Sequence, residues 1–393
     1  MSKISDNKEL GIYIHIPFCK KKCDYCDFIS YSDKLNLSDK YFETIEKELN
    51  SYDFKKYNIT TIYIGGGTPS YVDEKYIYNL LSYLKNNLIN NKTKFEDIEI
   101  TIEINPGTVN IEKLELYKKQ GVNRISIGLQ TTNNKLLKEI GRIHTYEEFI
   151  EAYKIIKEVG FENINVDLMI GLPLQTINDV KTSLDEIKKL KPKHVSIYSL
   201  IVEEGTIIEK KLNDGILQLP NEEAERQMYW YVKNILENEG YNHYEISNFA
   251  KEGYESKHNL NCWEQKEYIG IGVAAHSYIN GTRYSNTNIL EKYIKQDNNF
   301  YNKEELEKKD VRIIEEVQSL EDKKKEHMLL GLRKIKGVKI SKFKEKYREN
   351  PIYIYKNELE ELVEEGLIII DGDYIRLTDK GLDLANLVWE KFI

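Results

Sequence analysis

Three of the four cysteines in this 393-residue chain, Cys19, Cys23 and Cys26, fall within eight residues of the stretch "FCKKKCDYCDF" (18–28). Thiolates at such spacing bind soft metals or iron–sulfur clusters. A four-iron cluster takes one thiolate per iron, so three thiolates from one loop leave one iron without a protein ligand. The alternative is a zinc ion completed by a distant group such as Cys262 or a histidine. Structural zinc sites pair two short Cys/His knuckles, and no second C-x-x-C or H-x3–5-H is present. With so few cysteines a disulfide framework is not expected.

The segments around this loop alternate between two periods. Apolar runs at 11–16, 60–65, 98–104, 124–128, 164–171 and 194–200 read as strands, and helical patterns fall at 38–52, 73–90, 110–120, 145–159 and 177–190. Strands separated by helices of this length argue for parallel βαβ units. Six units in about 200 residues predict an α/β fold, an incomplete (β/α)6 TIM-like barrel. A doubly wound sheet shares the local pattern and stays open at this point.

Beyond residue 200 the alternation loosens. The expectations are a long amphipathic helix at 221–239, a glycine-rich turn at 268–278, and a polar helix or connector at 291–326. A C-terminal unit follows, with helices near 327–335, 340–347 and 356–366, then a hairpin turning at Asp371-Gly372. Helices followed by a hairpin predict a winged-helix-like domain with a packing or gating role. The expected division is a barrel over 1–220, a barrel-covering extension over 221–310 and the winged-helix-like domain over 311–393.

In a barrel, functional residues collect at the C-terminal strand ends. The first strand delivers the cysteine loop. The second ends in "GGGTPS" (65–70), whose glycines let backbone approach a ligand and offer N–H groups. The third ends at Glu103, a carboxylate suited to ribose hydroxyls. The fourth ends at Gln130, followed by Arg142, and the fifth carries Asp167.

"YIHIPFCKKKCDYCDF" with "GGGTP" resembles the radical S-adenosylmethionine (SAM) superfamily. The resemblance implies a [4Fe-4S] cluster on Cys19, Cys23 and Cys26, with the open iron taking the amino and carboxylate groups of SAM. It further implies that Gly66, Gly67 and Thr68 form the loop at the SAM amino group, that Tyr13 and Tyr25 flank the cofactor, that Glu103, Gln130, Arg142 and Asp167 contact it, and that Ile201 and His276 lie near it. The implied chemistry is reductive cleavage of SAM to methionine and a 5′-deoxyadenosyl radical. "YIHIPFC", "INPG", "GLQ", "GLP" and "RLTDKGLDLANLV" (376–388) are similar to the oxygen-independent coproporphyrinogen III oxidase group. Within it, the decarboxylating branch carries another cysteine two residues after the third, where this chain has Phe28. The haem-chaperone, HemW-like branch has C-x-x-C-D-F and a His-Asn-x-x-Tyr-Trp signature. Here "HNLNCW" (258–263) keeps His258, Asn259 and Trp263, with Cys262 in place of tyrosine.

That branch implies haem as cargo, haem-receiving proteins as partners, among them membrane respiratory enzymes, and dimerisation. By this likeness His258 and Cys262 become candidates for contact with haem. A thiol can ligate haem iron, and it can equally pack as a small hydrophobe beside Trp263. The competing branch implies anaerobic decarboxylation of coproporphyrinogen III. Composition adds limits. Fifty-seven basic and 65 acidic residues give a net charge of −8, so nucleic acid is not the expected partner. The first apolar run is too short for a signal peptide or membrane span, and the expected location is cytoplasmic.

Overall fold

The computed structural model describes residues 8–88, 93–295 and 312–393. Six parallel strands, β1 (Lys8–Ile16), β2 (Tyr57–Gly66), β3 (Glu99–Ile104), β4 (Arg124–Gln130), β5 (Asn163–Ile170) and β6 (His194–Ser199), lie side by side in sequence order. Sequential order identifies a barrel-type sheet and excludes the doubly wound alternative, whose order reverses at a switch point. The barrel is not closed. The free edge of β1 pairs with β9 (Tyr268–Ile271), and that of β6 pairs with β8 (Asn248–Ala250).

Period-2 alternation explains the inside and the outside. One face of β1 to β5 carries Ile12, Ile14, Ile62, Ile64, Ile100, Ile102, Ile125, Ile127, Ile164 and Val166, all essentially inaccessible beneath the helical layer. The other face carries Tyr63, Glu103, Ser126, Asn165 and Asp167, which line the interior. Helices close the outer layer where caps start them. Thr145 with Glu148 and Thr176 with Asp179 form capping boxes at Tyr146–Glu158 and Ile177–Leu190.

Residues 242–250, 268–286 and 312–317 prolong the sheet at its two edges. β7 (Asn242–Glu245) and β8 follow β6, whereas β9, β10 (His276–Ile279), β11 (Thr282–Asn286) and β12 (Arg312–Val317) extend beyond β1. The glycine-rich stretch holds the expected turn, at Gly272–Ala275, and in addition the two strands it joins. A side chain at Gly270 would collide with the backbone oxygen of His276, so glycine there permits the close approach of β9 and β10. Buried Glu48 anchors this edge, accepting from Gly272 N (2.9 Å), Asn286 Nδ2 (2.8 Å) and Tyr293 Oη (2.6 Å).

The polar connector also differs from expectation. It contains the helix Leu290–Ile294, β12 and the start of the helix Leu320–Gly331, which Ser319 and Asp322 cap seven residues earlier than expected. Residues 296–311, the middle of that connector, and 89–90, the end of the expected second helix, lie outside the described residues. The C-terminal unit has its own core, built on Met328, Phe343, Leu362, Ile375 and Val388, and a small sheet of β13 (Val338–Lys339), β14 (Ile368–Asp371) and β15 (Tyr374–Leu377). The hairpin turns at Gly372, in the left-handed region, as Asp371-Gly372 predicts. Backbone hydrogen bonds from Ile246 N to Arg333 O and from Ile335 N to Tyr244 O join this unit to the barrel.

Candidate functional site

The C-terminal ends of β1 to β6 surround a cavity of about 500 Å³. Cys19, Cys23 and Cys26 line its mouth, on the loop that leaves β1. The loop is held at each end. Cys19 N donates to Tyr31 O (3.0 Å) and Tyr31 N to Pro17 O (2.7 Å). At its centre Asp24 N donates to Ile140 O (3.0 Å), Asp24 O accepts from Ile208 N (2.8 Å), and the Asp24 carboxylate pairs with Lys211 Nζ (2.7 Å).

Gly141 makes room for Asp24. It adopts φ +77°, and a Cβ there would strike the Asp24 carboxylate and amide. Gly141→Ala is therefore expected to strain the backbone by about 1–2 kcal/mol and push the cysteine loop outward. Iron retained per chain after anaerobic reconstitution should fall below that of the wild-type chain. Wild-type iron content in the variant would show that Asp24 does not set the loop.

A chain of side chains links two of the thiols. Thr68 Oγ1 donates to Cys19 Sγ (3.6 Å), and Asn105 Nδ2 donates to Thr68 Oγ1 (2.9 Å). Asn105 Oδ1 accepts from Arg142 Nη2 (2.8 Å), and Arg142 Nη1 reaches Cys23 Sγ (3.6 Å). Arg142 Nε is buried without a partner. Gly67 completes the cradle, because a Cβ there would lie 3.0 Å from Cys19 Sγ. Gly66, at φ +110°, would put a Cβ into the His15 ring.

Burial raises the Cys19 thiol, and burial with the neighbouring Cys23 raises Cys26 to about 11. Metal binding at these thiols must release protons. Among the described residues no three His, Cys, Asp or Glu side chains gather round one point fit for a single ion. A zinc ion needs its sulfur ligands about 2.3 Å from one centre, whereas each thiolate of a cluster takes a different iron. The donor set, three thiols on one loop at the cavity wall, fits a cluster with one open iron.

Deeper in, Glu103 accepts from Tyr63 Oη (2.8 Å) and Gly66 N (3.1 Å). Burial, reinforced by Asp167, pushes its carboxyl up to about 7. Asp167 accepts from Asn165 Nδ2 (2.7 Å) and Ser126 Oγ (3.3 Å), and burial raises it too. Arg124, buried beside both carboxyls, carries an unpartnered Nε. Gln130 ends β4 at φ +67°, where the register with β5 shifts, and accepts from Tyr198 Oη (2.9 Å). The interior is a polar chamber with acidic, basic and amide groups within reach of one small polar ligand.

Of the sequence-derived candidates, the cavity wall gathers the three cysteines with Tyr25, Gly66, Gly67, Thr68, Glu103, Gln130, Arg142, Asp167 and Ile201. Four are placed elsewhere. Tyr13 lies behind the wall, stacked on Tyr63 and bonded to His15 Nδ1 (3.0 Å). His276 sits exposed on β10 beside Glu315 (3.2 Å). His258 is buried, its Nδ1 bonded to Thr61 Oγ1 (2.9 Å) and its ring packed on Tyr63; burial holds it near 4. Cys262 is half-buried and off the wall, its thiol raised to about 11 by burial. From "HNLNCW" it is Asn259 that reaches the cavity.

Asn105, Tyr63, Arg124, Asn165 and Tyr198 were not among the candidates. For Asn105, Tyr63, Arg124 and Asn165 the signal was alternation, since each shares a strand face or its extension with a residue that was; Tyr198 had no such neighbour on β6. No helix among the described residues is long and apolar enough to cross a membrane.

Residues 13–187 match the model of the Radical SAM superfamily, and residues 318–384 match the HemN C-terminal domain. The chain is 40% identical to "Heme chaperone HemW" of Lactococcus lactis, covering 98% of both chains. It is 38% identical to "Heme chaperone HemW" of Bacillus subtilis, over 97% of this chain and 98% of that one. The coproporphyrinogen III oxidase HemN from Escherichia coli shares the fold, with a TM-score of 0.82 at 22% identity, over 98% of this chain and 90% of that one.

Proposed function

Because this chain belongs to the HemW family of the radical SAM superfamily, we propose that it is a haem chaperone, binding haem and passing it to haem-dependent proteins. Cys19, Cys23 and Cys26 hold a [4Fe-4S] cluster, and the chamber behind them takes SAM. Together these groups supply one-electron chemistry when bound.

The protein's own residues orient and shield. Thr68 and Arg142 donate to two of the cysteine sulfurs and fix their lone pairs. The Gly66–Gly67 backbone allows a ligand close approach, and Glu103 offers its carboxyl to ribose hydroxyls. Asp167, held by Asn165 and Ser126, gives the chamber a second acceptor. Recruiting haem-receiving proteins, at a membrane or in the cytoplasm, belongs to the same reading.

The observation that carries the chaperone reading is Phe28. It stands 60% exposed at the cavity mouth, two residues after Cys26, where the decarboxylating branch has a thiol. The test is turnover. Reconstituted protein with SAM, a strong reductant and coproporphyrinogen III should form no protoporphyrinogen IX. Multiple turnovers would make it the oxidase.

A second expectation concerns Cys262. Half-buried and off the cavity, it packs, so Cys262→Tyr should leave haem affinity within about twofold, less than ~0.5 kcal/mol. A large loss, or a shifted haem absorption spectrum, would make the thiol an iron ligand.

A further inference from the structure

A second cleft, of about 530 Å³, opens between the helix Lys257–Trp263 and the C-terminal unit. It shares no residue with the cysteine-lined cavity. Its walls bring together Lys334, Lys339, Lys342, Lys346 and Arg348 against only Glu264 and Glu345. Such a concentration of positive charge is unexpected in a chain of net charge −8.

The protein itself does little to neutralise it. Lys334 and Lys339 face carboxylates only at 3.8 and 4.0 Å, those of Glu264 and Asp373. Lys346 Nζ bonds a neutral amide oxygen, Gln265 Oε1, at 2.8 Å. Lys342 and Arg348 take no side-chain partner among the described residues. Lys342 and Lys346 stand four residues apart on the helix Ile340–Tyr347, a like-charge spacing that weakens a helix.

Two lining residues carry buried polar atoms without partners, Trp263 Nε1 and His327 Nδ1. Burial, together with the ammonium groups of Lys346, Lys334 and Lys342, holds His327 near 3, so its ring is neutral. Burial also lowers Lys334, a cost that a bound anion would relieve. Five cations against two carboxylates on one concave surface, with Lys342 and Arg348 left without a side-chain partner among the described residues, suit an anionic ligand.

We propose that this cleft is a binding site for a small polyanion bearing at least two phosphate or carboxylate groups, seated beside the Trp263 ring. The site stands apart from the cluster loop and does not depend on the chaperone reading.

The test is calorimetric titration of the full-length, cluster-loaded chain with inorganic pyrophosphate at low ionic strength. One saturable site is expected, weakened at least tenfold by the double substitution Lys342→Glu with Arg348→Glu and progressively by added salt. Both side chains are exposed, so the fold should survive; Lys342→Arg with Arg348→Lys should keep the affinity. No saturable heat up to millimolar pyrophosphate, or equal affinity in the charge-reversed protein, would overturn the proposal. Competition then identifies the natural source of the anion. Displacement of pyrophosphate by mesoporphyrin, but not by its dimethyl ester, assigns the cleft to porphyrin carboxylates. Displacement by neither assigns it to a phosphate compound.

Discussion

Cys23→Ser should bleach the brown iron–sulfur absorption of the anaerobically reconstituted chain, leaving the far-ultraviolet circular dichroism unchanged. Cys23 is half-buried on a loop pinned independently by Asp24 and Tyr31, so the fold does not depend on its sulfur. What it loses is the ligand, because a serine hydroxyl is a poor donor to iron compared with a thiolate. Cys262→Ser is the matched control. Its thiol lies off the cavity wall and should be dispensable, leaving the colour intact. Full absorption in Cys23→Ser, or bleaching in Cys262→Ser, would mean that the ligands are wrongly assigned.

Glu103→Gln should move stability and cofactor binding in opposite directions. In the folded chain the carboxyl titrates at about 7, because it is buried and faces Asp167. In the unfolded chain it titrates near 4.3. Between those values the folded state holds more protons, so stability falls as pH rises through the window and levels off above about 7. The displacement from 4.5 to about 7 corresponds to roughly 3 kcal/mol at most. Glutamine carries no charge there, so the variant should be more stable than wild type above pH 7 and equal to it below about pH 4.5. Denaturant melts across pH would show this as a flattened slope. The same change removes a charged acceptor from the chamber and should weaken SAM binding about tenfold or more, a loss of ~1.4 kcal/mol. An unchanged pH slope would mean Glu103 is not buried as described; unchanged SAM affinity would remove it from the cofactor site.

Much of this molecule is legible in the residues. The cysteine spacing points to soft-metal or iron–sulfur chemistry, and the six strand–helix units announce themselves because isoleucine-rich runs must be buried under helices on one face. The strand ends named from sequence converge because parallel strands in sequential order all open toward the same rim. Pairing that depends on distant partners was harder to read. Nothing local says that 268–286 must add a parallel strand beside β1 and two antiparallel strands beyond it, since that arrangement relies on Glu48 gathering donors from Gly272, Asn286 and Tyr293 more than 200 residues away. His258 became a candidate through its place in "HNLNCW", not through its residue type. Its ring bonds Thr61, nearly 200 residues earlier, and its neighbour Asn259 reaches the cavity. The cationic cleft escaped for the same reason. Its basic residues crowd Lys334–Arg348, where Glu345 is the one acid, but only folding brings Trp263 against them and makes the run a cleft.

Haem binding is the property on which the account turns. The direct measurement is an anaerobic absorbance titration of the cluster-reconstituted full chain with haem. Saturable binding at about one haem per chain is expected, with a Soret band distinct from free haem and release to a haem-free acceptor protein. Absence of saturable binding, with protoporphyrinogen IX formed from coproporphyrinogen III under the same reducing conditions, would contradict it and make the chain an enzyme.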